Sequence, residues 1–217
     1  MFKSISLKIS AMFVLLTISV IILIGTFMTD TTDQYYHDEF KKINSNVFSE
    51  EYANTLEACI GLENDAQSIF DSVNAHSGQL GIDSFRSCFI LDGKTGKTVG
   101  NLTSNPDLAS SLELSNNIIT AMNGETGDEI FSEKSYMDYA LPLQSEDGGA
   151  VHYIVYIIDT KEESNTILRN IFSIIIQALL LGIVISLIFA ILLSITIISP
   201  IKSLTRKSQK IASGFYG

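Results

Sequence analysis

The sequence predicts an α+β membrane protein in which two transmembrane helices flank a single extracytoplasmic domain. Three observations support this fold class. Two long segments contain no charged residue, all acidic residues lie between them, and the spacing of apolar residues in that middle region changes from helical to strand-like. The 217-residue chain is 46% hydrophobic, and the two uncharged segments account for this high value.

The first uncharged segment covers residues 9–28 and the second covers residues 171–198. A helix rises about 1.5 Å per residue, so about twenty residues cross the hydrocarbon core of a bilayer. The first segment could instead be a cleaved signal peptide, with Lys3 and Lys8 as its basic region. Its apolar core is longer than that of a signal peptide, and the TDTTD sequence after it does not resemble a cleavage site. The second segment could be a buried core helix, but such helices are rarely so long without a charge.

The distribution of charge predicts the topology. All 24 acidic residues lie between positions 30 and 163, whereas residues 30–169 hold only 8 of the 14 basic ones, so this region carries a formal charge of −16. Basic residues mark the cytoplasmic flanks of membrane helices, so both termini are predicted to be cytoplasmic. An acidic outer region also argues against a nucleic-acid partner. The basic residues outside that region are Lys3, Lys8, Lys202, Arg206, Lys207 and Lys210.

These features divide the chain into five parts. The predicted parts are a cytoplasmic N-terminus (1–8), transmembrane helix 1 (9–28), the outer domain (29–169), transmembrane helix 2 (170–198) and a cytoplasmic helix (199–217).

The outer domain begins with helical periodicity. Apolar residues recur every three or four positions over residues 30–74, which predicts a long helical extension of the first membrane helix with a kink or break at Gly61. Residues 87–91 and 98–99 are β-compatible and flank the DGKTGK sequence, which predicts a hairpin.

The second half of the outer domain contains further predicted helices and strands. Asn105 and Pro106 are typical of a helix start, and residues 115–122 predict a second short helix. Three strands are predicted next, over residues 129–132, 136–143 and 150–158, so the sheet is expected to have about five antiparallel strands. The last strand is apolar on both faces, as in the centre of a covered sheet. A closing helix over residues 159–169 leads into the second membrane segment.

Two cysteines, Cys59 and Cys88, lie in the outer region. An oxidising compartment would permit a disulfide between them, and two buried free thiols are the alternative. The spacing does not decide between these.

The C-terminal segment carries a helical seam. The apolar or small residues Ile201, Leu204, Ser208 and Ile211 follow one another at spacings of three, four and three, which is the a/d pattern of a parallel bundle and predicts a homodimer. Pro200 precedes this seam and Gly214 follows it.

Four stretches of sequence resemble known families. SCFILDGKTGKTVG (87–100), together with MDYALPL (137–143) and YIVYIIDT (153–160), resembles a PAS-like or single Cache sensor domain. SPIKSLTRKSQKIASGFYG (199–217) resembles the first helix of a HAMP linker, with Pro200 as the entry proline and Ile211 to Gly214 as the I-A-x-G ending. The family usually has an acidic residue after that glycine, and this chain has Phe215.

Taken together, the chain resembles the N-terminal input half of a Gram-positive, clostridial-type two-component sensor histidine kinase. This resemblance implies a cell-membrane homodimer that transmits an outside stimulus to a cytoplasmic coil. It also implies a kinase domain beyond the chain that would use ATP and Mg²⁺ and phosphorylate a response regulator. We therefore expect the chain to be part of a longer protein. A chemoreceptor, a receptor-type cyclic-dinucleotide enzyme or phosphatase, and an adaptor without an output domain are the alternatives.

No catalytic or metal-binding motif is visible in the chain, and its three histidines are isolated from one another. A ligand could bind between the sheet and the small helices, as in sensor domains of the resembled fold. The alternative is that Asp138 faces water and the tyrosines are packing residues. The polar or amphipathic strand residues that would line such a site are Arg86, Tyr136, Asp138, Tyr139 and Tyr153.

Overall fold

A computed structural model describes residues 2–103, 113–130, 134–145 and 149–212. The chain forms two compact units, one made of residues 1–32 and 167–217 and the other of residues 33–166. The protein has an α+β fold with a four-stranded antiparallel sheet. Two helical stretches, Lys8–Val47 and Glu162–Gln209, are long and apolar enough to cross a membrane.

The first helix, α1 (Phe2–Val47), begins in the first unit and continues into the second. Within the described residues, the other α-helices in chain order are α2 (Glu50–Glu57), α3 (Asp65–Ala75), α4 (Ser77–Leu80), α5 (Asn116–Met122), α6 (Glu162–Leu193) and α7 (Ser199–Ala212).

The sheet lies in the second unit and has the strand order β2-β1-β4-β3. Its strands are β1 (Arg86–Asp92), β2 (Thr98–Leu102), β3 (Met137–Gln144) and β4 (Val151–Asp159). β4 is the longest of them and pairs with β1 on one side and β3 on the other. The prediction that the last strand lies in the centre of the sheet is confirmed.

Alternate residues of each strand point to opposite faces of the sheet, and helices cover both faces. One face packs against α1 to α4 and forms the larger core, in which Phe40, Leu56, Ile69, Val155 and Ile157 are almost completely buried. The other face packs against α5 and forms a smaller core, which consists of Phe89, Leu91, Ile118, Ala121, Ala140, Val151, Ile154 and Tyr156.

The helical prediction for residues 30–74 is confirmed in outline, with two interruptions. The chain leaves helical geometry between α1 and α2, and again between α2 and α3, where Gly61 has a φ of +84°. The second interruption is the predicted break at Gly61. The first, at Phe48 and Ser49, was not predicted.

The predicted β1–β2 hairpin is confirmed, and its turn is held by Asp92. The Asp92 carboxylate accepts hydrogen bonds from the backbone N–H groups of Lys94 and Thr95 and from the Thr95 hydroxyl. These contacts lower the pKa of Asp92, the Thr95 hydroxyl having the largest effect. Gly96 then takes a left-handed φ of +66°, which a glycine adopts without strain.

Two other predicted elements have different outcomes. The helix predicted over residues 115–122 is confirmed as α5, and the Ser115 hydroxyl accepts a hydrogen bond from the N–H of Ile118 as its N-terminal cap. The helix predicted to start at Asn105 lies outside the described residues.

The fifth strand, predicted over residues 129–132, is not confirmed. Glu129 and Ile130 are in no strand, and the other two positions lie outside the described residues. Instead, Gly127 forms an isolated bridge with Ala140 of β3. The closing helix also begins later than predicted: Asp159 ends β4, and α6 starts at Glu162.

In the first unit, α1 and α6 contact each other through small residues. The hydroxyls of Thr17 and Ser186 are 2.5 Å apart and hydrogen-bonded. A Cβ atom on Gly182 would lie 2.9 Å from the Thr17 methyl group, so only glycine permits this close approach.

Helical structure continues through Pro200. A π-helical turn over Ser194–Ile198 precedes it, and α7 follows directly. Proline lacks an N–H donor and clashes with the preceding turn of an α-helix, and the wider π-helical turn accommodates both effects. Ile201 and Leu204 are 56% and 65% exposed. Gly214 lies outside the described residues.

Candidate functional site

The five predicted ligand-binding residues do not lie together in the structure. Arg86, Tyr139 and Tyr153 lie on the sheet face that packs against α1 to α4, whereas Asp138 lies on the face that packs against α5. Tyr136 precedes β3, and the Lys134 ammonium group lies 5.1 Å from the centre of its ring. Ligand binding by these residues stays a prediction, and a single pocket would not contain all five.

Asp138 is at the centre of a buried polar cluster and is only 2% exposed. The side-chain amide of Asn117, in α5, donates to the Asp138 carboxylate at 3.0 Å, to its backbone carbonyl at 3.0 Å and to the Glu129 carbonyl at 2.8 Å. The Asn117 side-chain oxygen accepts from the Glu129 N–H at 3.2 Å. The second Asp138 carboxylate oxygen accepts from the Tyr156 hydroxyl at 3.2 Å.

This cluster satisfies its own hydrogen-bonding groups. Both amide hydrogens and the oxygen of Asn117 are used, and both Asp138 oxygens have a donor. Burial, followed by the charge of Asp138, raises the pKa of Tyr156, so its hydroxyl stays protonated as a donor. The arrangement ties α5 to β3 and explains why a polar residue can be buried there. Asp138 therefore neither faces water nor offers a free oxygen to a ligand in this structure.

The two tyrosines on the opposite face have separate contacts. Tyr139 is 4% exposed and stacks on Phe48, with ring centroids 5.9 Å apart. Burial raises its pKa to about 12. Tyr153 donates a 2.7 Å hydrogen bond to Asp65, the first residue of α3. This bond lowers the pKa of Asp65, and burial together with the same bond raises the pKa of Tyr153 to about 12.

Arg86 forms an ion pair with Asp159. These residues are directly opposite each other on β1 and β4, and two guanidinium nitrogens lie 3.0 and 2.9 Å from one Asp159 oxygen. Both side chains are largely buried. Arg86 also donates to the Leu80 carbonyl at 2.7 Å and lies over the Phe40 ring at 5.0 Å. One arginine therefore connects α1, α4, β1 and the end of β4.

The connection from β4 to α6 is short and fixed by the same groups. The other Asp159 oxygen accepts from the N–H of Lys161 at 2.8 Å, and the Thr160 N–H donates to the Phe85 carbonyl. Lys161 has a left-handed φ of +57° and is 6% exposed, and its carbonyl accepts the N–H of Asn165 in the first turn of α6. We refer to Arg86, Asp159, Thr160 and Lys161 as the strand–helix junction.

Helix α1 places His37 beside this junction. The His37 side chain is 12% exposed, and its Nε2 atom lies 3.6 Å from Asp33. That atom is buried and has no hydrogen-bond partner. The hydroxyl oxygen of Thr160, at the junction, is also buried and without a hydrogen-bond partner. Burial and then the charge of Lys161 lower the pKa of His37, outweighing the opposite effects of Asp33 and Asp38.

A cleft of about 320 Å³ lies at the opposite end of β1, beside the hairpin turn. Its lining includes Lys97 and Glu113, which could contact a charged molecule, and the side chains of Leu114 and Ile118. None of the five predicted ligand-binding residues lines it.

The two cysteines are free thiols in the structure. Cys88 is completely buried in the larger core, and burial raises its pKa to about 12, so it is unreactive at neutral pH. Over the described part of the chain, no group of three or more His, Cys, Asp or Glu residues could hold a metal ion.

The sequence did not predict the strand–helix junction. Arg86 was singled out as a ligand-binding residue, and Asp159 was assigned to a helix. An arginine beside an apolar strand and an aspartate at the end of another would have indicated a cross-strand ion pair if the register had been known.

Comparisons with protein-family models, with curated proteins and with solved structures gave no match for this chain.

Proposed function

We propose that this chain is the transmembrane signal-sensing input module of a two-component sensor histidine kinase. In this proposal the second unit is an extracytoplasmic PAS-like or Cache domain, residues 9–28 and 170–198 cross the cell membrane, and both termini are cytoplasmic. The seam of α7 is the start of a HAMP linker that passes the stimulus to a kinase domain. That domain would use ATP and Mg²⁺ and phosphorylate a response regulator.

The observation that carries the proposal is the short connection between the sheet and α6. β4 is a central strand, and only Thr160 and Lys161 separate it from the second apolar helix. Because Arg86 fixes the end of β4 through Asp159, movement within the sheet would reach the first turn of α6 without a flexible linker. A sensor needs such a connection, whereas an anchored enzyme or a passive membrane anchor does not.

Charge and exposure support the membrane topology and the homodimer. The outer region carries a formal charge of −16, and six basic residues lie in the two flanks. Ile201 and Leu204 are exposed in the single chain, and a parallel partner helix would cover them.

The reading frame after Gly217 distinguishes the output classes. A phosphoacceptor histidine with ATP-binding motifs supports the kinase. A long coiled coil with methylation glutamates would identify a chemoreceptor, a cyclase or phosphatase motif would identify a receptor enzyme, and a stop codon would indicate an adaptor. Any of the last three would refute the kinase proposal.

An insertion tests whether the signal passes through the junction. Gly-Gly-Ser placed between Thr160 and Lys161 in the intact receptor is expected to abolish the response of kinase autophosphorylation to stimulus. The same insertion between Gly149 and Ala150, both exposed, is the control and should leave the response intact. Pro200→Ala should shift the basal autophosphorylation, because it permits a regular α-helix in place of the π-helical turn. A normal response in the junction variant would show that the signal takes another route.

Cysteine crosslinking tests the homodimer. Single cysteines at positions 201, 204 and 211 are expected to crosslink between subunits in membranes more readily than cysteines at 202 and 206, because the first three share the seam. Equal crosslinking at all five positions would contradict a parallel bundle.

A further inference from the structure

We infer that His37 makes the contact between α1 and the strand–helix junction sensitive to pH, and that acidification loosens this contact. The inference concerns the conformation of the second unit alone and does not depend on the proposed kinase output. It is based on burial, on an unpaired nitrogen and on the charges that surround the His37 ring.

The environment of His37 favours the neutral ring. Its Nε2 atom is shielded from solvent and has no hydrogen-bond partner, so a proton there would be neither hydrated nor well bonded. The Asp33 oxygen at 3.6 Å is beyond good hydrogen-bonding distance, and the Asp33 side chain is 37% exposed, which weakens its attraction.

Among the residues that the structure describes, the charged groups that act on the ring lie on two elements. On α1 itself, Asp33 and Asp38 favour a positive ring, and on the connection between β4 and α6 the Lys161 charge opposes it. Burial and Lys161 have the larger effects, and together they lower the pKa of His37 below its ordinary value of 6.5. Protonation at low pH would therefore place two positive charges in a largely buried contact.

The direction of the pH effect follows from this shift. Well above pH 6.5 the ring is neutral whether the contact is closed or open, and the contact has its full stability. Below that value, an open state with an ordinary His37 pKa takes up a proton more readily than the closed state does. The open state is favoured by up to about tenfold for each pKa unit of difference between the two states.

The first experiment measures the His37 pKa directly. The full chain, in detergent micelles or nanodiscs and labelled at histidine, has only three imidazole signals to follow by NMR. Spectra of His76→Gln and His152→Gln assign the His37 signal by elimination. We expect a His37 pKa below 6.5, and we expect Lys161→Gln to raise it. A value of 6.5 or above, or no change in Lys161→Gln, would overturn the inference.

The second experiment measures the loosening itself. Hydrogen–deuterium exchange of the peptide covering residues 158–168 is compared between the wild-type chain and His37→Gln at the same pH, which removes the intrinsic pH dependence of exchange. The ratio of the wild-type exchange rate to the His37→Gln exchange rate should be larger at pH 5.5 than at pH 7.5. His152→Gln, which changes an exposed histidine on β4, is the control and should behave like the wild type. If the ratio of the two exchange rates is the same at both pH values, His37 is not the group that makes the contact sensitive to pH.

Discussion

The Asp138 cluster and the strand–helix junction are both built around a largely buried aspartate, but they differ in how that aspartate is satisfied. Asp138 accepts hydrogen bonds from the neutral donors of Asn117 and Tyr156, and each group in that cluster has a partner. Asp159 is paired with a charged arginine, and two buried polar atoms nearby, on His37 and Thr160, have no partner.

This difference indicates which region is built to move. A satisfied neutral network holds one arrangement, because any displacement breaks several hydrogen bonds at once. An ion pair next to unsatisfied atoms is closer in free energy to alternative arrangements, since those atoms could gain partners when the structure changes. We therefore expect the Asp138 cluster to be a fixed support, and we expect the contact of His37 with the junction to be the adaptable part of the junction region.

The largest effect on stability should come from removing one partner of the Arg86–Asp159 ion pair. Arg86→Met leaves Asp159 largely buried without its cation, and we expect a loss of roughly 3 kcal/mol in the free energy of unfolding. Denaturant unfolding of the full chain in detergent, followed by tyrosine fluorescence, measures this loss.

The double variant Arg86→Met, Asp159→Leu tests the same pair further. It removes both charges, so it should recover much of the stability that Arg86→Met loses. A double variant no more stable than the single one would show that Arg86 acts through Phe40 and Leu80 rather than through the ion pair.

A somewhat smaller effect is expected at the fixed support. Asn117→Ala leaves one Asp138 carboxylate oxygen and the backbone N–H and carbonyl of Glu129 without the Asn117 side chain as their partner, and we expect a loss of about 2 kcal/mol in the free energy of unfolding. Asn116→Ala is the matched control, because Asn116 is exposed and adjacent on α5. If both variants lose the same stability, the cluster is not the support described above.

The cap of α5 should have a more modest effect. Ser115→Ala removes the acceptor for the Ile118 N–H, and capping serines are typically worth about 1 kcal/mol. Ser115→Thr should retain the cap because its hydroxyl also accepts this bond. Thermal melts of the two variants are compared, and equal melting temperatures would contradict the capping role.

The smallest effect is a pH dependence at the end of α3. The lowered pKa of Asp65 means that its contribution to stability is present above pH 3.8 and is lost as the pH falls below that value. Tyr153→Phe removes the largest cause of that shift, so the variant should lose less stability than the wild type between pH 5 and pH 3. Parallel acid-unfolding curves for the two proteins would contradict this role.

The sequence predicted those parts of the fold that depend on neighbouring residues. The DGKTGK turn, the short helix over residues 115–122 and the break at Gly61 each follow from a few adjacent positions, and all three are present. The apolar composition of β4 was enough to place it in the centre of the sheet. The two long apolar helices were predicted for the same reason, since their length and composition are local properties.

The candidate site depended on contacts between distant parts of the chain. Arg86 and Asp159 are opposite each other only because of the register between β1 and β4, which periodicity does not determine. Alternation did place Asp138 and Tyr139 on different faces, but the partner of Asp138 is in α5, and no local pattern points to Asn117. The accommodation of Pro200 by a π-helical turn likewise depends on the whole preceding helix.

Gly127 has a consequence for the evolution of this chain. A methyl group at that position would lie 2.3 Å from the backbone carbonyl oxygen of Asn117, so no other amino acid fits unless α5 moves away from β3. Asn117 in turn donates to Asp138. When homologous sequences are aligned, the three positions should therefore change together, and an Asn, a Gly and an Asp at spacings of ten and eleven residues should identify distant relatives.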